Sequence, residues 1–197
     1  VPTLIDNGVV YADSFDIALH ADSLGQENSL FPEGAEIRIR ELNTIAHKLA
    51  NASRAVVTAA TLASPEALQS NLPPWIPKGL RSISTPLASS VAKNLGRKYG
   101  FDPRSIQGAR EQEIRSLKQY RELLADQIYV IGDSLTYADM VLACSLNMIL
   151  PVEQGIRVNS VNRETWSNHE LADEYAEVFA WRDSVFERHW VERTRPQ

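Results

Sequence analysis

The strongest constraint on the fold of this chain is the helix start encoded by residues 132–140. Thr136 is a favourable N-cap residue and Asp139 follows three positions later, so each side chain is expected to satisfy a free amide near the other. Leu135 and Met140 flank this pair and have the positions of a hydrophobic staple. An apolar run follows. The sequence therefore predicts a buried helix after Thr136, with a capping box whose role is structural.

Most of the chain after residue 34 has helical spacing. We predict helices over residues 35–63, 80–98, 102–126 and about 170–190, with a break at the proline-rich residues 72–77. The side chains predicted to face the core on three of these helices are Ile45, Leu49, Ala52 and Val56, then Ile114, Leu117 and Leu124, and finally Leu171, Tyr175, Val178, Arg182 and Phe186.

The first 25 residues have a different pattern. Two short β-branched runs, at residues 3–5 and 9–11, are separated by Asn7-Gly8, which is typical of a hairpin turn. Asp13-Ser14 then marks a helix N-terminus, and Gly25 is placed to end that helix. The order strand, turn, strand, helix predicts a small α/β unit before the helical part.

The composition and net charge of the chain disfavour several classes of protein, among them nucleic-acid binders and membrane proteins. With 44% hydrophobic and 23% charged residues the chain is expected to fold, and a net charge of −5 disfavours nucleic acid as a partner. No apolar stretch is long enough for a bilayer, so we expect no membrane partner. The single cysteine, Cys144, excludes a disulfide within the chain, is expected to be a buried small side chain, and fits a reducing, cytoplasmic location. His169-Glu170 lacks the second histidine of a zinc motif, so we expect no metal.

Three segments carry a resemblance to one known family. Residues 132–139 resemble the capping box and staple of the glutathione S-transferase C-terminal domain. Residues 1–6 followed by Asp13-Ser14 resemble the end of the thioredoxin-like domain of that family, and Leu30-Phe31-Pro32 resembles its interdomain linker. The resemblance implies a mainly α fold, with a truncated thioredoxin-like α/β part at residues 1–27 and an all-helical domain at residues 35–197. The proline-rich stretch is similar to that of ether-cleaving members.

The resemblance also implies a partial glutathione site. Val1 and Pro2 match the residue and cis-proline that hold the cysteinyl part of glutathione, while Asp13 and Ser14 match the pair that holds its γ-glutamyl end. The free amides at a helix N-terminus attract a carboxylate, which agrees with this role for Ser14. The alternative is that Asp13 and Ser14 only cap a helix. The Ser, Tyr or Cys that activates the thiol in this family belongs before the proline, so the catalytic residue is unknown here, and the chain reads as a possible fragment.

The implied activity is that of a glutathione transferase, with glutathione as co-substrate and a small apolar electrophile as its partner. The candidates for the electrophile pocket are three aromatic residues near the proline-rich loop, Trp75, Tyr99 and Phe101. An equally weighted alternative is that Trp75 anchors this loop on the core. Glutathione-dependent isomerisation or ether cleavage is a second reading. A third is a non-catalytic transferase-like module that mediates protein assembly.

The family resemblance further implies a homodimer. The pairing surfaces expected here are the helix at residues 14–24 and the segment at residues 37–63. Ile39, Leu42 and Ala46 form a second apolar line beside the predicted core stripe, and a helix with two apolar faces usually has two burial partners. The alternative is that this second line packs beneath the proline-rich insert.

Overall fold

The computed structural model describes residues 2–25, 29–72, 90, 105–125, 127–154 and 158–191. It begins with an antiparallel hairpin of two strands, β1 at Leu4–Asp6 and β2 at Val9–Tyr11. The turn residues Asn7 and Gly8 have positive φ angles of 48° and 82°, the backbone conformation that an Asn-Gly pair favours. The predicted hairpin is confirmed.

Helices make up most of the remaining described chain. They are α1 (Ser14–Leu24), α2 (Glu36–Ala63), α3 (Pro65–Ser70), α4 (Ile106–Leu124), α5 (Tyr137–Leu146), α6 (Ser160–Trp166), α7 (His169–Glu174) and α8 (Ala176–His189). A mainly helical fold with one small sheet is the predicted class. The helix predicted over residues 80–98 lies outside the described residues, except for residue 90.

The core lies where α2, α4, α5 and α8 pack together. Its fully buried side chains include Ile39 and Leu49 of α2, Tyr120 of α4, Leu142 of α5 and Val178 of α8. Phe15 of α1 belongs to the same cluster. The small N-terminal part is therefore attached to the helical bundle through a shared core.

The buried face of α2 differs from the predicted stripe. Ile39, Leu42 and Ala46 lie in the core together with Leu49, while Ile45 is only partly buried. The predicted Val56 is likewise partly buried. The apolar line of Ile39, Leu42 and Ala46 was expected to face a partner subunit. It packs instead against α4 and α5 of the same chain. It gives no argument for a dimer.

Two further helix predictions need correction. Ile114 was predicted to face the core, but it is 38% exposed, whereas Leu117 and Leu124 are buried as expected. The predicted helix over residues 170–190 is two helices, because Tyr175 has φ −117° and ψ 38° and separates α7 from α8. Arg182 remains on the buried face, as predicted.

Candidate functional site

The start of α5 is organised by a buried carboxylate. Asp139 Oδ2 accepts hydrogen bonds from the Thr136 amide at 2.8 Å and from the Thr136 hydroxyl at 2.7 Å. Its other oxygen accepts a hydrogen bond from the Val130 amide at 2.7 Å. Thr136 and Asp139 are fully buried and form the predicted capping box. The bond to Val130 was not predicted, and it also fixes the loop that leads into α5.

The start of α1 holds the two residues predicted to contact glutathione. Asp13 is the N-cap, and its carboxylate accepts a hydrogen bond from the Phe15 amide at 2.8 Å. Ser14, the first residue of the helix, is half-buried. No acceptor among the described residues takes the amides of Ser14 and Asp16. Asp13 therefore caps the helix, while the Ser14 end keeps donors that an anion can use.

The linker connects α1 to α5 through hydrogen bonds at both of its ends. The Leu30 carbonyl accepts a hydrogen bond from the Tyr137 amide at 3.0 Å, which satisfies a free donor in the first turn of α5. Asp22 of α1 accepts hydrogen bonds from the Ser29 hydroxyl at 2.6 Å and from the Leu30 amide at 2.7 Å. These contacts hold the last turn of α1, the linker and the first turn of α5 in one region of the molecule.

Three rings from separate segments fill the space between these elements, and we call Phe15, Phe31 and Tyr137 the aromatic cluster. Phe31 stacks on Tyr137 with ring centroids 5.2 Å apart. Phe15 meets each of the other two rings edge-on, with centroids 5.3 Å apart. The Arg40 guanidinium covers the Phe15 ring at 4.2 Å. Edge-on and offset pairs are favourable aromatic geometries, so the cluster is a rigid joint between α1, the linker and α5.

The Tyr137 ring packs against Phe15, so its phenol lies near the start of α1. Burial raises the pKa of the Tyr137 phenol, the nearby Ser14 hydroxyl lowers it, and the negative charge of Asp13 raises it again. The net shift is upward, so the phenol is protonated at neutral pH and has a proton to donate. Sequence reasoning missed Tyr137. One sequence feature could have identified Tyr137. It is an aromatic residue immediately after the N-cap Thr136, and the chain also has an aromatic residue, Phe15, immediately after Ser14.

Of the other predicted site residues, the structure describes only Pro2, which is exposed and lies just before β1. Val1 lies outside the described residues, and so does the peptide bond between Val1 and Pro2. The three candidates for the electrophile pocket, Trp75, Tyr99 and Phe101, also lie outside them.

A small apolar hollow lies between α5 and α8. Its volume is about 160 Å³, and its walls include Met140, Cys144, Phe186 and Trp190. Cys144 was predicted to be buried, but its side chain is exposed at this hollow. The apolar surroundings desolvate the thiol and raise its pKa, so Cys144 carries its proton at neutral pH and is a poor nucleophile.

Among the residues that the structure describes, no three His, Cys, Asp or Glu side chains are grouped so that they could hold a metal ion. Among the same residues, none of the helices has the length and apolar character needed to cross a membrane.

Comparison with known proteins identifies the helical part. The family model for the glutathione S-transferase C-terminal domain matches residues 91–189, just over half of the chain. The chain belongs to the glutathione S-transferase superfamily. This match includes α4 to α8 and the capping box of α5. Neither a curated protein nor a solved structure matches the chain.

Proposed function

We propose that this protein is a glutathione transferase-like enzyme that joins the thiolate of glutathione to a small apolar electrophile. Membership of the superfamily supports the general class. The specific proposal depends on Asp13 and Ser14, which precede the residues that the family model matches. Its support is therefore the geometry at the start of α1.

The observation that carries the proposal is the position of Ser14. Its side chain and its free backbone amide lie at the N-terminus of α1, where the helix dipole favours a carboxylate. We assign Ser14 and Asp13 to the γ-glutamyl end of glutathione, and Val1 and Pro2 to its cysteinyl part.

The chemistry would be nucleophilic substitution or addition by the glutathione thiolate. A transferase accelerates it by lowering the pKa of the bound thiol and by holding both reactants in position. We assign no residue of this chain to thiol activation, because the family resemblance places that Ser, Tyr or Cys before the position of Pro2. Cys144 is protonated and lines a separate hollow. Glutathione-dependent isomerisation and ether cleavage use the same bound thiol and are variants of this proposal. The reduced glutathione that it requires is abundant in the cytoplasm, the proposed location.

For the electrophile, the proposal keeps Trp75, Tyr99 and Phe101 as candidate pocket residues, since aromatic side chains beside a proline-rich loop are suited to an apolar ligand. A homodimer is the proposed assembly. Neither nucleic acid nor membrane is a proposed partner.

A second candidate is a non-catalytic module that binds another protein, and one observation favours it. Ile5 and Val10 are cross-strand partners in the hairpin, and they are 69% and 60% exposed. Cross-strand partners lie on the same face of a sheet, so the hairpin presents an apolar face that another surface could cover. This function predicts protein binding without turnover.

Calorimetry with glutathione tests the binding step, using the protein expressed from its complete coding sequence. Ser14→Ala should weaken glutathione binding by about tenfold, because a hydrogen bond to a charged group is lost. The matched control is Ser23→Ala on the same helix, where an exposed hydroxyl only donates to the His20 carbonyl. Binding that is absent in the wild type, or equal in both variants, would contradict the proposal.

Turnover separates the two candidates. With glutathione and an activated aryl halide, the enzyme should form a carbon–sulfur bond and release halide, which is followed by the absorbance of the thioether. Glutathione binding without turnover of aryl halides, isomerisable substrates or aryl ethers would favour the protein-binding module.

A further inference from the structure

A pocket of about 440 Å³ lies where the loop after α5 meets α6 and α8. Its volume is within the range of small-molecule sites. Apolar side chains, among them Leu150 and Phe186, line it together with charged side chains, among them Arg163 of α6 and Arg182 of α8. The proposed transferase chemistry uses none of these residues.

Two arginine side chains hold the loop that forms one wall of this pocket. Arg182 Nη1 donates a hydrogen bond to the Leu150 carbonyl. Arg163 Nη1 donates to the Pro151 carbonyl at 2.6 Å and to the Val152 carbonyl at 3.2 Å. Side chains therefore bind three consecutive carbonyls of the loop, and Arg182 is itself 3% exposed. This wall is fixed by the chain and needs no ligand to form.

The guanidinium of Arg163 keeps donors that the loop does not use. Its Nη1 serves the two carbonyls, whereas Nε and Nη2 have no acceptor in the described part of the chain, and no carboxylate there pairs with this charge. The Nε–Nη2 edge of an arginine matches the two oxygens of a carboxylate. Arg182 differs, because the Asp183 carboxylate already accepts from its Nε and Nη2.

The charges around the pocket favour a ligand that carries both signs. Glu153 and Glu164 also line it, and both are exposed and have no ion-pair partner among the described residues. They repel a ligand that has only negative charge, and the net charge of −5 adds to this repulsion. A molecule with an ammonium group beside its carboxylate is complementary to both kinds of side chain.

We propose that this pocket binds a free α-amino acid with an apolar side chain. The carboxylate of the ligand pairs with the Nε–Nη2 edge of Arg163, and its ammonium group lies near Glu164 and Glu153. Its side chain contacts Leu150 and Phe186. The site belongs to α6, α8 and the loop after α5, so the inference does not rest on the glutathione site at the start of α1.

Calorimetry with L-phenylalanine, in the absence of glutathione, tests the ligand class. The wild type should bind it with a dissociation constant of about 1 mM or lower. Phenylalaninamide lacks the carboxylate and N-acetylphenylalanine lacks the ammonium group, so each should bind about tenfold more weakly or worse. Inorganic phosphate should not displace phenylalanine. Equal binding of either derivative, or displacement by phosphate, would overturn the inference.

Arg163→Lys tests the proposed carboxylate contact. The lysine keeps the positive charge and a donor for the loop carbonyls but removes the fork, so phenylalanine binding should weaken by about tenfold. The matched control is Arg188→Lys on α8, whose Nε donates to the Ser184 carbonyl outside this pocket. The control should keep the affinity of the wild type.

Glu164→Gln tests the ammonium contact at an exposed position, where the substitution leaves the core intact. It should weaken phenylalanine binding by about fivefold, while Glu111→Gln on α4 should not change it. If Arg163→Lys does not fold, Glu164→Gln and the two modified ligands still decide the question.

Three results would overturn the inference: no phenylalanine binding by the wild type, wild-type affinity in both pocket variants, or equal losses in the pocket variants and their controls. Glutathione binding is measured separately on the same wild-type protein. Failure of the amino-acid site therefore leaves the proposed function standing, and failure of glutathione binding leaves this inference standing.

Discussion

The Asp139 carboxylate accepts a hydrogen bond from the Val130 amide at 2.7 Å, across nine positions of the chain. The same side chain accepts from the amide and hydroxyl of Thr136. One fully buried group therefore satisfies three donors and joins the loop before α5 to its first turn. This arrangement makes the capping box a structural element of both the loop and the helix.

Asp139→Ala should lower the free energy of unfolding by about 3 kcal/mol or more, because three donors, two of them buried, lose their acceptor. Thr136→Ala should cost about 1 kcal/mol, the usual effect of losing an N-cap side chain. Urea denaturation measures both. The control is Asp133→Ala, an exposed carboxylate in the same loop, which should have little effect. Unchanged stability with lost glutathione binding in Asp139→Ala would instead make Asp139 a site residue.

The buried carboxyl of Glu113 predicts a pH dependence of stability. Glu113 is 4% exposed on α4, and burial raises its pKa more than the Ser53 hydroxyl and the Arg110 charge lower it. With a raised pKa in the folded state, Glu113 favours folding at low pH, and this contribution is lost as the pH rises through the folded pKa. Glu113→Gln removes the ionisation and keeps the shape.

Glu113→Gln should therefore be more stable than wild type at pH 7.5, by about 1 kcal/mol, and the difference should shrink toward zero as the pH falls to about 4. Urea denaturation across this range is the measurement. Glu111→Gln, on the exposed face of the same helix, serves as the control and should give a small difference at every pH. If the stability advantage of Glu113→Gln instead increases toward low pH, folding lowers the pKa of Glu113 and the prediction is wrong.

Two asparagines join α3 to α6 by a reciprocal amide pair. The side-chain nitrogen of Asn162 donates to Asn71 Oδ1 at 2.8 Å, and that of Asn71 donates to Asn162 Oδ1 at 3.2 Å. Asn162→Ala and Asn71→Ala should each cost about 1–2 kcal/mol. Because they remove the same pair, the double variant should cost clearly less than the sum. Additive effects in urea denaturation would show that the two amides act independently.

The parts of the fold that the sequence predicts depend on local contacts. The hairpin turn needs only Asn7-Gly8, and the capping box needs residues three positions apart, so both can be identified without tertiary information. The buried face of α2 was misassigned because two neighbouring apolar lines were available. Only the packing of α4 and α5 selects the line containing Ile39 and Leu42.

In the candidate site too, only the residues marked by local sequence features could be predicted. Asp13 and Ser14 were found because a helix start and a family resemblance coincide at one point in the sequence. Tyr137 was missed because its partners, Phe15 and Phe31, lie more than a hundred positions away and are brought to it only by the fold. The break at Tyr175 likewise has no local signal, since neither proline nor glycine marks it.

The homodimer remains a prediction, but the line of Ile39, Leu42 and Ala46 no longer supports it, because these side chains lie in the core. Two other exposed side chains support it. Leu24 at the end of α1 and Ile37 at the start of α2 are 68% and 77% exposed, and both lie in the segments that the family resemblance assigns to subunit pairing. Light scattering at micromolar concentration should give about twice the 22.0 kDa mass of one chain. Ile37→Glu should shift the mass to that of a single chain, because a buried unpaired carboxylate is costly at an interface. Val161→Glu, an exposed position on α6, should leave the dimer intact. A wild-type mass near that of one chain would contradict the prediction.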